Sequence, residues 1–162
     1  MLRSAMIRWR LLFNLIPAGL SFAASQRLVL ERDYLGALEK LQSLSRRLGL
    51  DFPSVELPLR ANLLGLQSAY FLQNEAICEK CAKVVVVKTK VALAQRDSPR
   101  TRYTADYVYR FLEHCAGRFE PRAGVFLGLS SEVHAVCEPY ELSAVPKFLR
   151  NEMPMQESEF QS

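Results

Sequence analysis

The chain has 162 residues, 49% of them hydrophobic and 23% charged, enough for one domain with a sizeable core and too apolar for wholesale disorder. Its formal charge of +4 is mild for a nucleic-acid-binding surface, and its two histidines leave little scope for ordinary acid–base chemistry. No phosphate-cradling Gly-rich loop, paired-histidine zinc motif or Gly-x-Ser-x-Gly elbow is present. The expectation is therefore a protein with no catalytic residues, no metal and no cofactor.

The first segment needs a decision about processing. Arg3, Arg8 and Arg10 precede an apolar run from Leu11 to Ala23, the layout of a secretory signal, and Ser21 and Ala23 are small enough for cleavage. The run is too short to span a bilayer. Pro17 also suits the first position of a helix, and cleavage after Ala23 would remove about half of that helix's packing surface. An uncleaved, cytoplasmic chain is favoured; the alternative is a secreted or periplasmic chain cut near Ala23.

Helical patterns then follow one another. Ser4 to about Ile16 reads as a short amphipathic helix, Pro17–Glu31 as one hairpin arm and Tyr34–Leu48 as the second, closed by Gly49 and Pro53. Pro58 opens the next helix, through about Leu72, and Asn74 caps a long one from Glu75 to about Gln95. Val84 to Val87 would suit a buried strand, yet no partner strand is visible and the flanking alanines favour helix. On that helix Ile77, Cys78, Cys81, Ala82, Val84, Val85, Val91 and Ala92 form a broad apolar face with Lys88 inside it, while Glu79, Lys83 and Lys90 lie opposite. Arg96 to Pro99 breaks the run. Tyr103, Tyr107, Phe111 and Cys115 recur every four residues and predict a helix to about Ala116. Beyond Gly117 the glycines and prolines predict only short helices, Ser130–Cys137 and Tyr140–Leu149; Gly124 and Gly128 read as turns or close packing. The domain is placed at residues 1–150, with a frayed tail at 151–162.

Two stretches resemble each other. Asp33, Tyr34, Ala37, Leu38, Leu41 and Leu44 are similar to the turn and second helix of a tetratricopeptide repeat, and Ala37-Leu38 is matched by Ala76-Ile77, 39 positions on. A weaker copy surrounds Ala69-Tyr70 and Glu75-Ala76-Ile77, and a suggestive third runs from Tyr103 to Cys115, so the likeness covers roughly half the chain. It implies an all-α fold of stacked antiparallel helical hairpins in a right-handed array, with short carboxyl-terminal helices, and places Ala37 and Ala76 at equivalent helix contacts. It also implies a non-catalytic scaffold that holds a peptide or helix of a protein partner in a concave groove. Arg27, Asn62, Gln67 and Tyr70 are the groove candidates, with Lys88 a possible contact to an anionic group.

Two other function classes have some support. Residues 80–110 carry eight Lys or Arg against Asp97 and Asp106, with Tyr103, Tyr107 and Tyr109 available to stack on bases, so nucleic acid is a less favoured partner. Cys78 and Cys81 share a helix face, and an antiparallel return brings Cys115, with His114 beside it, level with Cys81. A zinc site or redox pair is conceivable, but neither has its usual second knuckle or strand-first context, and free thiols packed in the core are the expectation. His134 and Cys137 receive the same reading. The Pro-broken carboxyl-terminal part either folds back over the hairpins or docks on a second copy of the chain.

Overall fold

The computed structural model describes residues 17–47 and 56–137. The expected helices Ser4–Ile16 and Tyr140–Leu149, the stop at Gly49 and Pro53, and the 151–162 tail lie outside the described residues. Within them the regular structure is all helical. Residues 17–30 form α1, followed by α2 (Tyr34–Arg47), α3 (Glu56–Phe71), α4 (Glu75–Gln95), α5 (Pro99–Arg118), a 3-10 turn Glu120–Arg122, and α6 (Ala123–Val136). No helix among the described residues is long and apolar enough to cross a membrane.

Helix α3 organises the packing because it is apolar on two opposite sides. At 100° per residue, Leu57, Ala61 and Leu64 fall on one side, and Leu59, Leu63 and Leu66 about 180° away. The first set joins Ala18, Phe22, Val29, Ala37, Leu41 and Leu44 of α1 and α2. The second joins Cys78, Ala82 and Val85 of α4, Val108, Phe111 and Leu112 of α5, and Phe126 and Val133 of α6. Two clusters thus share one helix. Ser68, fully buried, donates to the Leu64 carbonyl at 2.8 Å, which satisfies its hydroxyl without leaving the helix.

Gly65 is the narrow point of this arrangement. A Cβ built there would lie 3.1 Å from Cys81 Sγ and 3.9 Å from Leu41 Cδ1, so α2 and α4 both close on the same turn of α3. Glycine here costs about 1 kcal/mol of helix propensity relative to alanine, and the close approach offsets it.

Two of the helix connections are the same turn. After α1, the Asp33 amide donates to the Leu28 carbonyl and Arg32 to Val29; after α3, Asn74 donates to Ala69 and Gln73 to Tyr70. Arg32 and Gln73 take left-handed φ values of 62° and 56°, which end a helix. Asp33 and Asn74 then cap the next one, accepting from the amides of Gly36 (2.9 Å) and Ile77 (3.1 Å). The offset, Arg32 to Gln73, is 41 residues and not the 39 that separate Ala37 from Ala76. Ala37 is buried as expected, but Ala76 is exposed. The hydrogen-bonding counterpart of Ala37 is Cys78: each amide donates to its cap residue's carbonyl, and both residues are 0% exposed. A two-position slip rotates a residue by about 200° around a helix, which carries Ala76 to the solvent side.

The break expected at Arg96 to Pro99 is present, whereas the last described helix differs from the sequence reading. Helix α5 starts at Pro99, four residues before Tyr103, because Ser98 and Thr101 form a reciprocal capping box and proline suits the first turn. Helix α6 begins at Ala123, well before Ser130, and contains both Gly124 and Gly128. Burial of Phe126, Ser130 and Val133 outweighs the propensity cost of the two glycines. On α4, Val91 is 36% exposed and Val86 takes a core place.

Gly65→Ala should destabilise the chain by roughly 1–3 kcal/mol through overpacking, and the loss should shrink or reverse in a Cys81→Ala background, where the obstructing sulfur is gone. Denaturant melts of the four proteins of this double-mutant cycle check it; simple additivity would contradict the close approach.

Candidate functional surface

The side chains that join α1, α3 and α5 locate the region of interest, although Phe22, Gln67, Tyr107 and Phe111 among them are buried beneath it. The Arg60 guanidinium lies over the Phe22 ring at 4.8 Å, linking α3 to α1. On the other side, the Gln67 amide donates to the Tyr107 hydroxyl at 2.5 Å, and the rings of Tyr70 and Phe111 meet at 5.2 Å. Both contacts link α3 to α5. The even-numbered helices meet too, with α4 packed on α6 and Lys90 paired to Glu132 at 3.1 Å.

Tyr70 stands at the end of α3 where this surface is richest. Its ring is half-buried and touches Phe71 edge-on at 5.5 Å and Phe119 at 6.3 Å. The exposed Arg118 lies over its remaining face, 4.4 Å from the ring centre. Such a cation–aromatic pair contributes about 0.5–1 kcal/mol at an exposed site, and it holds a guanidinium at the surface in a defined position. Phe71 in turn stacks on Tyr34 of α2 at 4.6 Å.

The sequence-derived candidates are spread over several elements. Gln67 and Tyr70 both face α5, but Gln67 is 0% exposed and serves the core. Asn62, half-buried, donates to its own helix at the Pro58 carbonyl, 2.8 Å away. Arg27 is exposed near the end of α1 and pairs with Glu31 at 2.8 Å, which raises its pKa through the hydrogen bond first and charge second. Lys88 is half-buried on α4. Arg118 was missed in sequence because nothing local distinguishes it: its significance comes from Tyr70, which only the α3–α5 packing brings near.

Two of the four cysteines occupy the interior, and Cys81 and Cys137 are half-buried. Cys78 and Cys115 are both fully buried with sulfurs 3.7 Å apart, close enough for one thiol to donate to the other. The partner of Cys115 is therefore Cys78, whereas the sequence reading placed Cys81 level with it. Cys81 instead sits against Gly65. The difference arises because Cys78, one turn earlier, occupies the α4 face that meets α5. Among the described residues no group of three His, Cys, Asp or Glu is placed to hold a metal ion. Burial, then the hydrogen bond to Cys78, raises the Cys115 thiol pKa strongly. Cys81 is pushed up to about 11, first by burial and then by Cys78, with Lys80 opposing.

Ion pairs ring the opposite side of α4. Arg122 bridges Glu75 (2.9 Å) and Glu79, and Lys83 reaches Glu79 at 2.5 Å. The hydrogen bonds from Lys83 and then Arg122 hold the Glu79 carboxyl below the usual range. Its charged form is thereby favoured, and this contribution, fully present above the ordinary value of 4.5, is lost as pH falls below it through the lowered value of the folded chain.

Thiolate is the reactive form of cysteine, so alkylation of Cys81 by iodoacetamide should be slow at pH 7–9 and climb between about pH 10 and 11. The unfolded thiol ionises near its ordinary value of 9.0. The stability associated with this site is thus fully present below pH 9 and declines as pH rises toward 11. A Cys81 rate already saturated at pH 9, measured by mass spectrometry of its peptide, would contradict this burial. Comparison of the chain with models of known protein families, with curated proteins and with solved structures returns no match.

Proposed function

We propose that this chain is a non-catalytic protein-interaction scaffold of the tetratricopeptide-like kind, in which stacked hairpins α1–α2, α3–α4 and α5–α6 hold a peptide or helix against the layer of α1, α3 and α5. The observation that carries the reading is the side-chain continuity of the odd-numbered helices: Phe22 to Arg60, then Gln67 and Tyr70 to Tyr107 and Phe111. Side-chain links between alternate helices are what a stack of hairpins would use to align one face for an extended ligand. The recurrence of the same capped turn after α1 and after α3 supports it. Arg27, ion-paired to Glu31 on α1, and Arg118, seated on Tyr70 on α5, are exposed guanidinium groups of the kind that suits an acidic or carboxylate-bearing partner segment.

The competing classes have weaker support. Among the cations of residues 80–110, Lys83, Lys90, Arg102 and Arg110 are engaged with Glu79, Glu132, Asp97 and Asp106. Tyr103 and Tyr107 are packed in the core, away from any base that could stack on them. The reading takes the chain as uncleaved and cytoplasmic. Burial of Ala18 and Phe22 supports the first of these, since cleavage near Ala23 would take both from the α1–α2–α3 cluster.

Selection of a displayed random-peptide library on the full chain tests the proposal. Recovered peptides should bind in the micromolar range, and Arg27→Glu with Arg118→Glu should weaken them at least tenfold, about 1.4 kcal/mol. Glu132→Gln, on the even-numbered side, should leave affinity unchanged. Peptides insensitive to the arginine pair but lost with Glu132→Gln would overturn the choice of face. Failure to recover any peptide, together with salt-dependent binding of single-stranded nucleic acid, would favour the basic-stretch reading.

A further inference from the structure

Apart from Ser130, Ser131, His134 and the ion-paired Glu132 the last described helix is apolar, yet only one of its faces is covered. Phe126, Ser130 and Val133 are buried, while Val125, Leu127 and Val136 are 38%, 48% and 48% exposed. Between them run Gly124, Gly128, Ser131 and Ala135, all exposed, and a Cβ at either glycine would meet nothing within 4 Å. A helix of this composition is normally covered on more than one side.

We infer that the outer face of α6 is an intramolecular docking site for residues 138–150 of this same chain. Three observations select that occupant. The segment leaves Cys137 at the end of α6 and carries Tyr140, Leu142, Val145, Phe148 and Leu149 within thirteen residues. Its reach suffices: α6, with 14 residues, is about 21 Å long, and thirteen residues extend to about 43 Å. A cavity of about 230 Å³ opens where the segment starts; Leu93, Ala94, Val136 and Cys137 line one part of it and Lys90, Asp97 and Arg102 the rest, room for an apolar side chain with a polar group beside it. A second copy fits less well. One face of a 14-residue helix offers roughly 200–300 Å², far below the about 800 Å² per partner of a stable association. A tethered segment needs no such area, because its effective concentration is already in the millimolar range.

This inference is independent of the scaffold reading: it concerns what covers α6, and its test involves no partner. In the full chain, Leu127 is replaced by the photo-cross-linking residue p-benzoylphenylalanine. Equal amounts of ¹⁴N- and ¹⁵N-labelled protein are mixed at low micromolar concentration, irradiated and digested. Cross-linked peptides should join α6 to residues 138–150 and be isotopically pure, as bonds within one chain are. Replacement of Ser131, also exposed, provides a second position should the first variant not fold. A Leu142→Asp, Phe148→Asp double substitution should remove most of the cross-link and raise amide hydrogen exchange in α6 about tenfold. Isotopically mixed peptides would assign the face to a second copy and overturn the inference. Cross-links to any other segment, or none at all, would overturn it equally.

Discussion

The structure depends on α3 being buried from two sides. A helix with one apolar stripe can close a single hairpin, but α3 carries two, one completed by α1 and α2 and the other by α4, α5 and α6. Burial of Leu59, Leu63, Leu64 and Leu66 contributes about 1.5–3 kcal/mol each relative to exposure. No comparable set occurs on α2, whose buried positions face one way. The two clusters are therefore thermodynamically linked through one element, and Gly65 sets how closely that element can be gripped.

Polar contacts specify this arrangement more than they stabilise it. The Gln67–Tyr107 hydrogen bond is buried and joins positions far apart in the chain, so it penalises any slide of α5 along α3. The exposed pairs Arg27–Glu31 and Arg102–Asp97 fall in the class worth 0–1 kcal/mol. Arg122 has a more specific consequence. It ties the turn before α6 to the start of α4, and so helps orient a helix whose own amino terminus lacks a side-chain cap.

What was legible in the sequence follows from these distinctions. Local chemistry marks helix limits well: Asn74 stands where a cap is expected, and α4 runs from Glu75 to Gln95 as the pattern predicts. Helix α6 was misread because tertiary burial of Phe126 and Val133 overrides the local signal of Gly124 and Gly128. The pairing of Ala37 with Ala76 was misread for another reason. Side-chain similarity suggested one register, while the left-handed residue and the cap define another, and the capped turn is the more reliable anchor. Tyr70 could be singled out from its position, but Arg118 could not, since the contact between them is set by how α3 and α5 cross. The Cys78–Cys115 neighbourhood has the same origin: spacing brought the correct helices together and left the choice of turn to packing.

Native-state hydrogen exchange across the whole chain tests the central claim most directly. If α3 links both clusters, amides of residues 61–69 should exchange only through global unfolding, more slowly than those of α1 or α6, and α1–α2 and α4–α5 should lose protection in one denaturant transition. Exchange of α3 as fast as that of α1, or separate transitions for the two sides of the molecule, would contradict the account.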